Sequence, residues 1–301
     1  MCLPGKRPQL PPAALDRASP AAEMALSKLS GDEQGIILGQ LCNTLEPRRA
    51  VHFSSACTEL RVLLTPAVRQ QLRADHEAAA ALCVMVAMRS CKELREATEV
   101  VLDDKGLSEA DLATLGTLGS VLPALEELRL HQGSGSAGSA GPDGVPRLAE
   151  GLAAGALPAV VYLGIYGLHM GLAGASALAG ALGRGALPRL QTLHLVNAAI
   201  GGAGLVALAP ALRRRPTLAH LDLSGNSLGD EGITALVAPP PPAGALPPPA
   251  GGLKRLKTLD LRNTHVTDAG CATITSAIDS GALPALKVLR LDGIAASASA
   301  N

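Results

Sequence analysis

The sequence predicts an α/β solenoid, a curved parallel sheet inside with helices outside, preceded by a small all-α module. Two observations carry this reading. A phrase of the form LxxLxL recurs in LPALEELRL (122–130), LPAVVYLGI (157–165), LPRLQTLHL (187–195), RPTLAHLDL (215–223), GLKRLKTLDL (252–261) and LPALKVLRL (283–291), and such self-similarity marks a stacked-repeat architecture. Of the 301 residues, 48% are hydrophobic but only 1% aromatic, with no Trp, one Phe and two Tyr. A core filled by Leu, Ala and Val suits thin, closely stacked layers.

Read in chain order, residues 1–25 form a Pro-broken leader without the continuous apolar stretch of a secretory signal, and are expected to be disordered. Residues 26–92 lack the repeat and read as a small helical module plus a bridging helix. One helical stretch carries Ile36, Ile37 and Leu41, and a second carries Val51, Phe53, Ala56 and Cys57. Pro47 suits the first turn of the second, where its missing N–H costs nothing. From Pro66 to about residue 90 a longer helix is expected, with Val68, Leu72, Leu82 and Met85 available to a buried face.

Residues 93–301 then read as about seven coils. An early copy ends at Leu102, and the last apolar residue of each copy gives anchors at Leu102, Leu130, Ile165, Leu195, Leu223, Leu261 and Leu291. They are spaced 28, 35, 30, 28, 38 and 30 residues apart. The two long intervals hold low-complexity inserts, GSGSAGSAG at 133–141 and PPPPAGALPPPAGG at 239–252, whose removal restores the period. Alternation before each anchor predicts a strand. After it, apolar residues at +5 (Leu107, Met170, Ile200, Leu228, Val266) and +13 (Leu115, Leu178, Leu208, Leu236, Ile274) predict a helix. Acidic residues at the helix starts (Glu109, Asp111, Asp143, Asp230, Glu231, Asp268) are placed to accept from free backbone N–H groups.

These copies resemble the leucine-rich repeat family in its long, ribonuclease-inhibitor-like subclass, over residues 98–294. The family's Asn at +3 stands only at Asn226, so a less uniform turn is expected on that edge. The N-terminal segment resembles the F-box. Leu29, Ile37, Leu38 and Leu41 sit at that family's first-helix spacing, Leu45, Glu46 and Pro47 stand where it has Leu, Asp and Pro, and Phe53 and Cys57 follow at +6 and +10 from Pro47. Ser30 replaces the usual Pro and Leu60 a common Trp. The resemblance implies docking of residues 26–65 on the adaptor subunit of a cullin-type ubiquitin ligase. The same helices would equally cap the open end of the solenoid, and both roles stay open.

Net charge is zero, with 26 Lys+Arg against 26 Asp+Glu, which argues against nucleic acid or an anionic membrane as partner. The longest apolar run, Ala78 to Met88, would span only about 16 Å as a helix, too short for a bilayer. Six cysteines without a CxxC pair fit free thiols in the cytoplasm or nucleus. GSGSAG at 133–138 lacks the helix a dinucleotide site needs, and His76 and Glu77 lack the second histidine of an HExxH zinc site, because position 80 is Ala80. With no other catalytic motif, the expectation is a non-enzymatic protein without cofactor or metal. Arg213, Arg214 and Arg215 read as a solvated helix end.

Residues flanking the buried leucines should point out of the concave face, one per coil in each column. Those expected to meet a protein partner are Arg129, His131, Tyr162, Tyr166, His194, His220, Asp222, Asp260 and Arg262. Both tyrosines fall on one strand of this face, and aromatic and Arg side chains carry much of the energy of protein interfaces. Oligomeric state is not legible, and the last strand is expected to leave an unpaired edge.

Overall fold

The structure is a computed structural model that describes Ser30, Asn43 and residues 45–54, 64–103, 106–118, 122–133, 140–237 and 253–295. The chain divides into two compact units between Arg73 and Ala74.

In the first unit, Pro47 immediately precedes helix α1 (Arg48–Ser54), as its fixed backbone angle suits. The Asn43 side-chain oxygen accepts from the Leu45 N–H at 2.8 Å, and Glu46 pairs with Arg49 at 2.6 Å. Leu45, Ala50 and Leu64 are buried, whereas Val51, expected on the apolar face, is 50% exposed. Of the adaptor-docking residues, Leu29, Ile37, Leu38, Leu41 and Cys57 lie outside the described residues, as does the Phe53 side chain.

Helix α2 runs from Pro66 to Met85 and stops short of residue 90. The chain leaves the helix through Ala87, whose φ of 56° is left-handed, and Met88 N–H donates to the Cys83 carbonyl at 2.8 Å. That closure of the last turn ends the helix. Leu72, Ala79, Leu82 and Cys83 are the residues it buries, and Val68 is exposed instead.

Helix α3 (Cys91–Glu96) leads into a sheet whose order is simply chain order, every neighbouring pair parallel. The strands are β1 (Glu99–Asp103), β2 (Glu127–His131), β3 (Tyr162–Tyr166), β4 (Thr192–Val196), β5 (His220–Asp222), β6 (Thr258–Asp260) and β7 (Val288–Arg290). A helix follows each of the first six: α4 (Glu109–Leu118), α5 (Gly144–Ala153), α6 (Gly171–Gly183), α7 (Gly202–Arg213), α8 (Gly229–Val237) and α9 (Asp268–Asp279). The core is the space between the two layers. All ten apolar residues expected at +5 and +13 are buried.

Glycine sets how closely helices α4 and α5 approach. A Cβ on Gly151 would run into the Gly116 backbone, so only two glycines allow these helices to pack backbone on backbone.

Capping follows sequence only in part. Ser108 and Asp111 form a reciprocal box at the start of α4, with Asp111 N–H donating to the Ser108 hydroxyl at 3.2 Å and Ser108 N–H to the Asp111 carboxylate at 2.8 Å. Asp143 makes no cap to α5, because its own backbone is already helical (φ −91°, ψ −11°). Asp230 reaches across to the next coil, accepting from Thr267 N–H at 2.8 Å and its hydroxyl at 2.6 Å. Those bonds hold its carboxyl below the usual range.

The arginine run is not a solvated helix end. Arg213 donates to the Ala235 carbonyl of the following coil. Arg215 is buried and donates to the carbonyls of Leu182 and Leu187 in the preceding coil. Arg214 alone stays exposed, with a bond to the Pro210 carbonyl at 3.1 Å. The Leu182 and Leu187 carbonyls, at and just beyond the end of α6, already accept from the Gly185 and Leu190 N–H groups, and Arg215 adds a second donor to each.

Candidate partner-binding face

The strands stand in register so that three columns cross one face of the sheet. One column is Glu99, Glu127, Tyr162, Thr192, His220, Thr258 and Val288, and the next is Val101, Arg129, Gly164, His194, Asp222, Asp260 and Arg290. The third begins Asp103, His131, Tyr166 and Val196. Alternation along each strand sends the residues between them, such as Leu128 and Leu163, into the core.

A compact aromatic cluster occupies the middle of the face. The Tyr162 and Tyr166 hydroxyls hydrogen-bond to each other and to His194 Nδ1, at 2.9 and 2.8 Å respectively. Gly164 makes this possible, since a Cβ there would stand 2.5 Å from Tyr166 Cε2 and 3.0 Å from Tyr162 Cε1. The two rings close over the space that its missing side chain leaves. His194 meets the Tyr162 ring edge-on at 5.0 Å between centroids, and His131 meets Tyr166 likewise at 6.2 Å. The Arg129 guanidinium lies 5.1 Å from the Tyr162 ring centroid while donating to Glu127 at 2.6 Å, a cation–π arrangement.

Burial pushes the Tyr166 phenol above its ordinary range, helped by its bond to Tyr162. His194 is shifted down, chiefly because burial disfavours the imidazolium, with the nearby His220 charge adding to this and Asp222 opposing it. His194, lowered by burial, thus sits as a hydrogen-bond partner of both phenol groups beside the charge of Arg129.

Toward β7 the face becomes ionic. Asp260 is 1% exposed, which corrects the expectation that it meets a partner directly. Its carboxylate lies beneath Arg262, bonded at 2.9 and 3.0 Å, and Arg290, at 3.2 Å. Burial opposes its ionisation, but the two guanidiniums outweigh this and hold the carboxyl below the usual range. Asp260 thus fixes two arginines whose other faces reach solvent. His220 Nδ1 lies 3.1 Å from the Thr258 hydroxyl, and Asp222 accepts from Ser224 N–H at 2.9 Å.

The structure therefore brings Tyr162, Tyr166, His194, Arg129 and His131 into one cluster, places His220 and Asp222 beside it, and leaves Asp260 as a buried support for Arg262. Sequence reasoning did not find Gly164 as the determinant of the tyrosine packing, although its place between two tyrosines was the available signal. Among the described residues, no group of three or more His, Cys, Asp or Glu comes together to hold a metal. None of the helices among the described residues is long and apolar enough to cross a membrane.

At the edge of this face Asn226 is 2% exposed and saturates its amide. Its oxygen accepts from Ala198 and Ile200 N–H at 3.1 and 3.0 Å, and its nitrogen donates to the carbonyls of Leu195, Leu223 and Ser224. One side chain thus stitches two coils.

The family model described as Leucine Rich repeat matches residues 187–209, 215–237 and 254–274. No curated protein matches the chain in sequence. Among solved structures, an internalin from Listeria monocytogenes is similar at 13% identity over 76% of this chain and 92% of that one, with a TM-score of 0.24. Leucine-rich repeats are thus matched within residues 187–274, and the seven parallel strands with intervening helices form a solenoid like that of leucine-rich-repeat proteins.

Proposed function

We propose that the protein is a non-enzymatic receptor that captures a protein partner on the open, concave face of the sheet. The observation that carries this reading is the Tyr162, Tyr166 and His194 cluster under Arg129. Both tyrosines of the chain stand there, on a face that no helix among the described residues covers. Rigid aromatic rings and Arg are the side chains that contribute most to interfaces. Arg262 and Arg290, held in place by Asp260, supply the charged margin.

The finer reading is that residues 26–65 act as an F-box-like adaptor module of a cullin-type ubiquitin ligase, so that a captured protein becomes a ubiquitination substrate. Its support is the run Leu45, Glu46 and Pro47 with a helix opening directly after it. A helix in each return and a base period of 28 to 30 residues favour the ribonuclease-inhibitor-like form of the repeat.

Affinity capture with the full chain, followed by mass spectrometry and binding of the purified partner, tests the first reading. Replacing Tyr162 and Tyr166 together by Ala should abolish capture while the circular dichroism of the solenoid persists; undiminished binding refutes it. Co-purification of a cullin adaptor subunit, lost on changing Leu41 and Pro47, tests the second.

A further inference from the structure

Away from the open face, two thiols meet at the entrance to the solenoid. Cys83 on the last full turn of α2 and Cys91 at the first position of α3 have their sulfurs 3.8 Å apart, and both are free. The intervening turn is tightly held. Met88 N–H donates back to the Cys83 carbonyl, Glu93 N–H donates to the Ser90 hydroxyl at 3.3 Å, and the Glu93 carboxylate accepts from Arg89 N–H at 2.8 Å. A disulfide bond is about 2.0 Å long, so the gap closes by roughly 2 Å, within reach of side-chain rotation.

We propose that Cys83 and Cys91 are a reversible redox pair whose disulfide staples α2 to the segment leading into the first strand. The oxidant is a small disulfide of the glutathione class. Cys91, half-buried where Cys83 is 3% exposed, is the sulfur such a molecule reaches first. Its thiolate attacks one sulfur of the oxidant, forming a mixed disulfide and releasing one glutathione thiolate. Cys83 then loses its proton and attacks the Cys91 sulfur, and the second glutathione thiolate leaves. Two protein thiols are oxidised and one disulfide is reduced to two thiols, so atoms and electrons balance.

The environment makes the second step slow and pH-dependent. In the reduced pair burial, with Cys91 beside it adding to the shift, pushes the Cys83 thiol up to about 12, and in the mixed disulfide the burial remains. Since the thiolate is the nucleophile, closure should accelerate as pH rises. Once closed, the bridge limits the unfolded chain across a short loop and anchors α3, whose Leu94 is buried.

The test uses the full chain, Cys83→Ser and Cys91→Ser, each exposed to oxidised glutathione. The wild type should lose about 2 Da, and trypsin should release the peptide 74–89 joined to Ser90–Lys92, separable again by dithiothreitol. Its Tm should rise by about 5 °C, and neither variant should show the rise. Cys91→Ser changes the more exposed position and so remains informative if Cys83→Ser fails to fold. A glutathione adduct that persists on Cys91, a bridge that involves other cysteines while these two stay free, or a cross-link that leaves Tm unchanged would each overturn the proposal.

Discussion

At the scale of single residues, the solenoid depends on a few polar side chains that satisfy backbone groups between coils. Asn226 is the clearest, since replacing it by Ala leaves the buried N–H groups of Ala198 and Ile200 without their acceptor. Each orphaned donor costs about 1–3 kcal/mol, so Asn226→Ala should lose about 3 kcal/mol in urea unfolding. A loss within experimental error would show that water replaces the amide. The tyrosine cluster makes a second prediction. With Tyr162 changed to Phe, Tyr166 is the one remaining tyrosine, and its chief perturbation, burial, persists. Its alkaline absorbance titration should therefore still lie above the free value of about 10. The unfolded phenol ionises first, so stability is intact below that pH and declines as pH rises through the folded value. Titration at the free value would show the ring to be solvated. The columns of this face were legible in the sequence because strand alternation assigns them without knowledge of the fold. The internal geometry of the face was not. That Asp260 lies covered by two arginines, and that Gly164 seats the rings, depends on side-chain directions that spacing does not encode.

Among the elements, strands and helices were legible because the repeat supplies several independent readings of one pattern. The strand register coincides with the anchor columns at every coil. What escaped is the partnership between coils. Asp230 serves α9 and not its own α8, and Arg215 serves the preceding coil. Local rules assign a charged residue to the nearest helix end, whereas stacking places a residue some thirty positions away at hydrogen-bond distance. Helix packing obeys the same logic, as Gly151 illustrates. A methyl group there has no room against Gly116, and pushing α4 and α5 apart would loosen both from the leucines beneath. Although Ala favours helix over Gly by about 1 kcal/mol, overpacking of this kind costs about 1–3 kcal/mol. Gly151→Ala should therefore destabilise the protein on balance, read as a lower Tm. A rise in Tm would mean the helices have slack that their contact geometry denies.

Across the whole repeat unit, the distribution of burial predicts how stability is graded. Each coil is stabilised mainly by its two neighbours, so a terminal coil with one neighbour is the weakest. The inward residue two before the anchor reports this directly. Val100, Leu128, Leu163, Leu193, Leu221 and Leu259 are all at most 1% exposed, whereas Leu289 on β7 is only half-buried. Among the described residues no strand pairs with the outer edge of β7. At the opposite end, Val100 on β1 and Leu94 on α3, which precedes β1 in the chain, are each 1% exposed. The two ends should therefore behave differently in native-state hydrogen exchange. Amides that β7 donates to β6 should exchange first and those of β3 and β4 last, with β1 closer to the centre than to β7. Because Arg290 on β7 also holds Asp260 from that end, Arg290→Ala should extend the early-exchanging region into β6. Uniform protection from β1 to β7 would mean that the unit opens only as a whole, and would remove the nearest-neighbour picture on which this gradient rests.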